Sequence, residues 1–282
     1  MEATRVLDLG PVGKTLAYIL LVSIGISMVL PFLWMISTSL KPPPEVIAWP
    51  PDLIPRQPTW DNFTGLFKAA AFQRFFLNSL IVSFLSTISI VFTSTLAGFV
   101  FSKFRFPLRN LLFLLILATA MVPLEVYILP LYVQMVGLKW LNSYQGLVAP
   151  YLIMSFGIFF MRQNIGHSIP NEMIDAARID GASEWRIFRT VILPLSSSAM
   201  SALAIFAFMQ AWAAFIWPLL VVKRQEMYTM ELGLGLFQNR FTIEFGLISA
   251  GSVVSFIPVV VVFLLFRRNI VRGITLTGLK GV

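Results

Sequence analysis

The chain has 282 residues, of which 57% are hydrophobic and only 12% charged, and Phe alone occurs 26 times. A soluble domain carries roughly a quarter charged residues, so this composition excludes a disordered chain, argues against a water-soluble globular enzyme, and makes the bilayer the solvent. Lys and Arg total 21 against 13 Asp and Glu, and Cys is absent, which removes disulfides and thiolate metal sites.

Crossing the hydrocarbon core takes about 20 apolar residues. Six runs reach that length, 15–40, 75–102, 110–138, 140–161, 190–222 and 245–266, and Glu125 in the third is the one charge within them. The expectation is an all-α integral membrane protein with six transmembrane helices. A barrel would need short alternating strands. The first run is too long for a signal-peptide core and no small-residue cleavage site follows it. It reads as a retained helix after a short N-terminal segment, 1–14.

Orientation follows from the basic residues. Thirteen of the 21 Lys and Arg fall on segments 1–14, 103–109, 162–189 and 267–282, and the other eight on 41–74, 139 and 223–244. The positive-inside bias places the first set, and with it both termini, in the cytoplasm. The net charge of +8 then records topology, and no nucleic-acid-binding face is needed to explain it.

Two loops stand out. The first external loop has seven prolines between Pro42 and Pro58 and should be extended and stiff. Asp61 can cap a short helix after it, whose apolar face is Phe63, Leu66, Phe67 and Ala70. The longest cytoplasmic segment runs from Arg162 to Leu195. Asn171 can cap a helix there, with Glu172 in its first turn and Met173, Ala176 and Ala177 on one face. Gly181 suits the left-handed residue that ends a helix. Ser183 caps a second helix, Trp185, Phe188 and Ile192 form its apolar side, and Pro194 stops it.

This loop resembles the EAA motif of permease subunits of ABC importers, E-A-A-x3-G-x9-I-x-L-P. Asp175, Ala176, Ala177, Gly181, Val191, Leu193 and Pro194 stand at that spacing, with Asp for Glu and Val for Ile. The flanking Asp180, Ala182 and Ser183 fit the same family. So do Asn78-Ser79-Leu80, Phe104-Arg105-Phe106-Pro107, Met121-Val122-Pro123, Pro130-Leu131-Tyr132, Phe159 to Gln163 and Trp217-Pro218-Leu219. The tail, from Arg272-Gly273-Ile274 to Gly278-Leu279-Lys280-Gly281, is similar to that of carbohydrate permeases of the maltose-permease type. One departure is Ala213 and Ala214, which stand where the family often has a polar pair.

The resemblance implies a type I ABC importer permease fold over residues 15–282, in the cytoplasmic (inner) membrane of a prokaryote. It implies a second homologous permease, two ATPase subunits that bind ATP and Mg, an extracytoplasmic solute-binding protein, and a carbohydrate substrate. Segment 162–195 would be the coupling loop seated in the ATPase subunit. Asp175 and Asp180 would make polar contacts to the ATPase subunit, Ala176, Ala177 and Gly181 would allow close packing and the bend, Trp185 and Phe188 would hold the loop to its own spans, and Glu172, Ala182, Ser183 and Pro194 belong to the same coupling segment.

No cofactor or metal is expected on the chain itself. Gly10 to Thr15 imitates a phosphate loop, but Asp8 stands where the first glycine is required. With a single His, H-E-x-x-H is impossible. Sugars are held by hydrogen bonds and aromatic faces, which makes Asn78, Glu125, Tyr151 and Gln210 the pathway candidates. Glu125 carries the one charge within a span. An alternative is an importer of glycerol 3-phosphate or another polyol phosphate. A phosphate favours Arg or Lys beside the pathway, and the span interiors have neither. An autonomous secondary transporter or channel would need carboxylates within the spans and would leave the loop unexplained.

Overall fold

The computed structural model describes residues 10–68, 71–237 and 244–278, with side chains of the last helix as far as Arg267. Expectations for residues 1–9, for Ala70 and for the tail Leu279-Lys280-Gly281 lie outside the described residues. Among the described residues every regular element is helical. In order these are α1 (Pro11–Ser39), α2 (Pro43–Val46), α3 (Asp61–Lys68), α4 (Phe72–Lys103), α5 (Arg109–Thr119), α6 (Leu124–Gly137), α7 (Tyr144–Val148), α8 (Ser155–Ser168), α9 (Asn171–Ile179), α10 (Glu184–Ile187), α11 (Leu193–Leu195), α12 (Ser197–Trp212), α13 (Ile216–Val221), α14 (Met230–Leu234) and α15 (Phe245–Gly278).

Three of these helices, α1, α4 and α15, are long and apolar enough to span unbroken, and three bent pairs bring the spans to six. The other three runs are not the single helices expected from their charge-free length. The third is bent by 95° between α5 and α6, the fourth by 48° between Tyr151 and Ser155, and the fifth by 78° at Ser196. Pro123 explains the first break, because proline supplies no backbone N–H and its ring collides with the preceding turn, whereas Pro194 lies within the helical limb that ends at the Ser196 bend. Bare backbone at membrane depth is tolerated only inside protein or beside water, so these breaks bear on where the site is.

The chain forms two compact units, residues 1–69 with 237–254, and 70–236 with 255–282. In the first, α1 is apolar all round and its hydrophobic stretch is exposed along its length, as a lipid-facing helix requires. The proline-rich loop is not simply extended. It folds back on the end of α1, where Ser37 Oγ donates to the Leu53 carbonyl and Lys41 Nζ to that of Asp52. Glu45 accepts the backbone N–H groups of Arg56 and Gln57 at 3.0 and 3.1 Å. In α3, Asp61 is the first helical residue rather than the cap, and its N–H donates to Thr59 Oγ1 at 3.1 Å. The buried side of α3 is Asn62 and Leu66, while Phe67 is exposed. Asn62 turns inward because its carboxamide donates to the Ser39 and Lys41 carbonyls, at 3.0 and 2.8 Å.

In the second unit α4 is the central helix, with α8 and α12 along its flanks. Small residues make this possible. Ser83, Ser86, Ser94 and Thr95 of α4 are fully buried. A Cβ on Gly98 would lie 2.8 Å from the Arg162 backbone nitrogen, so α4 and α8 touch backbone to backbone there. Gly157 of α8 lies directly on Ser94. Larger side chains close the ends. Trp217 Nε1 donates to the Gly146 carbonyl at 2.9 Å, and the Arg162 guanidinium lies 3.8 Å from the centre of the Phe113 ring.

Candidate functional site

The loop between α8 and α12 folds as two short helices joined at Gly181. Asn171 is not the cap of α9. Pro170 occupies that position, and Asn171 Oδ1 instead accepts a hydrogen bond from Lys103 Nζ at 3.0 Å. Lys103 also donates to the Ile169 carbonyl, so the end of α4 holds the start of α9. At the other end, Gly181 has φ +77°. Its N–H donates to the Arg178 carbonyl and the Ala182 N–H donates to the Ala177 carbonyl, both at 3.0 Å. This pair of bonds is the Schellman closure, which satisfies carbonyls that a helix end otherwise leaves bare. Ser183 then caps α10, its Oγ accepting the Arg186 N–H at 3.3 Å.

Arg178 joins the two helices. Its Nε donates to Glu184 of α10 at 2.8 Å and its Nη1 to Asp175 of α9 at 3.2 Å, with the guanidinium 5.7 Å from the centre of the Phe104 ring. The hydrogen bond to Glu184, followed by the charges of Glu184 and Asp175, holds Arg178 above its usual range. The anchors are Ile174, Ile187, Phe188 and Ile192, all buried. Phe188 meets Phe99 of α4 at 6.0 Å and stacks on Trp185 at 5.3 Å.

The outward side is apolar as well as charged. Met173, Ile179 and Trp185 are 44%, 86% and 52% exposed. Glu172, Asp175, Ala176, Asp180, Gly181 and Pro194 are exposed beside them, and Ala177 and Ala182 are half-buried. Of the face noted in the sequence, Met173 and Ala176 are thus exposed and Ala177 is half-buried, and the residue turned inward is Ile174. Ile174 precedes Ala177 by three residues, the spacing of one helical face, and this was the signal for it.

The bent pairs meet at a second feature. A cleft of about 300 Å³ is lined by Thr119 at the α5–α6 break, Tyr127 of α6, Tyr151 and Ser155 at the fourth-span break, and Phe206 and Gln210 of α12. Thr119 Oγ1 and Ser155 Oγ are hydrogen-bonded at 2.7 Å across the two breaks. The lining has aromatic rings and neutral hydrogen-bonding groups, with no charged side chain. Of the four pathway candidates it brings together Tyr151 and Gln210. Glu125 lies in the exposed first turn of α6, outside the lining. Asn78 is buried elsewhere, donating to the Glu226 and Tyr228 carbonyls at 2.8 and 2.9 Å and accepting from Tyr144 at 2.7 Å. Its carboxamide is a brace within the chain. Thr119, Ser155 and Tyr127 were not singled out from sequence; the nearest signals for them in the chain are Pro123 and Pro150, close to the two breaks. Among the described residues no cluster of His, Asp and Glu is placed to hold a metal ion.

Comparison with known proteins fits this architecture. Residues 90–276 match the family model described as the inner membrane component of binding-protein-dependent transport systems. The arabinooligosaccharides transport system permease protein AraQ of Bacillus subtilis (strain 168) is 34% identical over 254 residues, covering 89% of this chain and 90% of its own. The sn-glycerol-3-phosphate transport system permease protein UgpE of Salmonella typhi is 37% identical over 217 residues, 76% of each chain. In fold, the chain resembles a bacterial ABC transporter involved in the import of the acidic polysaccharide alginate. The TM-score is 0.80 at 18% identity, covering 90% of this chain and 95% of that one. A second crystal structure, of the bacterial alginate ABC transporter in complex with alginate pentasaccharide-bound periplasmic protein, matches with a TM-score of 0.63 at 16% identity, covering 90% and 93%. A family match over more than half of the chain, with relatives above 30% identity along most of its length, shows that this chain belongs to the inner membrane components of binding-protein-dependent transport systems, the permease subunits of ABC importers.

Proposed function

We propose that the chain forms, with a second homologous permease, the path by which a carbohydrate delivered by an extracytoplasmic binding protein crosses the cytoplasmic membrane of a prokaryote. Two ATPase subunits below it bind ATP and Mg and supply the energy. The single observation that carries this reading is the coupling loop. Two helices closed at Gly181 and bridged by Arg178 present an outward face of exposed apolar and acidic side chains, as a segment seated in another subunit requires. Both termini face the cytoplasm in this arrangement.

Energy reaches the spans through the loop's two ends. At one end Ile169 and Pro170 lead back to α8. At the other, the π-turn Phe188–Ile192 and the bend at Ser196 lead into α12. Displacement of the rigid loop tilts both helices, and α12 carries Phe206 and Gln210 of the cleft. This couples the sites only if the two states bind their ligands differently.

Carbohydrate is favoured over a polyol phosphate by the cleft's neutral lining, since phosphate calls for Arg or Lys. The likeness to UgpE supports the phosphate as the second reading. Uptake by the reconstituted complex decides between them. A neutral oligosaccharide such as arabinotriose should enter on ATP hydrolysis. Uptake of glycerol 3-phosphate in its place would reverse the assignment.

A further inference from the structure

Segment 223–237 lies between the fifth and sixth spans and was expected to be an external loop. It is stitched to the helices by side chains. Asn142 Oδ1 accepts the backbone N–H groups of Lys223 and Arg224 at 2.7 and 2.9 Å. Asn78 holds the Glu226 and Tyr228 carbonyls, and Ser79 Oγ accepts the Met230 N–H at 2.7 Å. Gly233 rests on the Phe75 ring with no room for a side chain, so α14 lies flat on α4.

One carboxylate in this segment points inward. Glu231 Oε1 accepts a hydrogen bond from Ser255 Oγ of α15 at 3.1 Å, and Ser255 Oγ accepts one from Trp212 Nε1 at 3.1 Å. Trp212 and Ser255 are 2% and 6% exposed, and Glu231 is half-buried. Phe208 stacks on the Trp212 ring and Phe76 meets it edge-on, at 5.6 and 5.8 Å. A serine hydroxyl has one proton. An ionised carboxylate only accepts, so it claims that proton and leaves the serine lone pairs for the indole N–H, which only donates. The carboxylate therefore sets the polarity of the whole chain, and bonds linked in this way strengthen one another away from water.

We infer that Glu231 is a positioning residue for transport: through Ser255 and Trp212 it ties α15, at Ser255, and the outer end of α12 to the stitched external segment. Trp212 ends α12, whose preceding turns carry Gln210 and Phe206 of the cleft, and whose other end is the bend beside the coupling loop. An event at the outer segment and an event at the coupling loop thus act on the two ends of one helix. The inference rests on the coupling-loop reading above.

The test uses the complete importer reconstituted in lipid, with a reporter that needs no substrate. The chain has no cysteine, so Ala213→Cys, in the exposed turn next to Trp212, is its single thiol once the partner subunits are made cysteine-free. Its rate of labelling by a membrane-impermeant maleimide is measured at rest and after trapping with ATP and vanadate. The two rates should differ by at least about fivefold, the low end of coupling between distant sites. Glu231→Ala and Ser255→Ala should collapse that difference while the complex still assembles, and Glu231→Gln, which keeps an acceptor oxygen, should retain most of it. Trp212→Phe, which keeps the stacking and loses the N–H, should behave like Glu231→Ala. An undiminished difference in Glu231→Ala, or loss of assembly with the difference intact in the complex that remains, overturns the inference. A parent complex without any ATPase subunit would instead overturn the coupling-loop reading.

Discussion

Arg178 and Glu184 face each other across the Gly181 turn, guanidinium Nε to carboxylate Oε1 at 2.8 Å, and this bond makes one body of two helices too short to be stable alone. Both side chains are well exposed, so the pair adds little to folding, about 0–1 kcal/mol. Its weight lies in stiffness. Arg178→Ala should leave assembly of the complex near normal and raise the ATP hydrolysed per molecule transported. A stoichiometry assay in proteoliposomes checks this, and an unchanged ratio would remove Arg178 from the coupling path.

Gly181 is held at φ +77° with open space where a Cβ would stand. The cost of Gly181→Ala is therefore one of backbone, about 1–2 kcal/mol for a left-handed L-residue. Asn tolerates that conformation better, so Gly181→Asn should recover most of what Gly181→Ala loses. Gly181→Glu adds bulk and charge to the outward face as well, and should uncouple ATP hydrolysis from transport. Normal transport by the Glu variant would contradict the coupling assignment.

The six spans were legible because lipid punishes charge, and charge-free runs mark them directly. Their breaks were not. Pro31 and Pro258 sit inside unbroken α1 and α15, and Pro130 inside α6, so a proline in the sequence does not announce a bend. Asn78 shows the same limit. Its partners Tyr144, Glu226 and Tyr228 are remote in sequence, and a buried amide with distant partners looks identical to one waiting for a sugar. Gly181 and Ser183, by contrast, act within a few residues of themselves, and the chain alone located them.

Gly98 meets backbone, which cannot move aside. Gly98→Val should cost about 1–3 kcal/mol of overpacking or more and lower the thermal midpoint of the detergent-solubilised complex. Gly166→Ala is the control, because the nearest atom to its Cβ is Ser102 Cβ at 4.0 Å. It should be neutral or slightly stabilising. Equal behaviour of the two variants in size-exclusion after heating would contradict the packing described for α4 and α8.

Thr119 and Gln210 give the cleft neutral polar groups. Gln210→Leu or Thr119→Val should each slow uptake of a neutral sugar by about tenfold, the worth of a hydrogen bond or two lost to the substrate. ATPase stimulation by the loaded binding protein should persist. Uptake at the parent rate in both variants would take the cleft off the pathway.

Delivery of energy from another subunit through the coupling loop requires that subunit to be bound to this chain. The most direct measurement is purification of the tagged chain in mild detergent, with mass spectrometry of what comes with it and an ATPase assay on the result. A second permease and an ATPase subunit should come with it, with ATP hydrolysis that continues but no longer drives transport when Gly181→Glu is introduced. A stable lone chain or homo-oligomer without ATPase activity, yet able to transport in vesicles, would contradict this and leave the loop a structural element of an autonomous transporter.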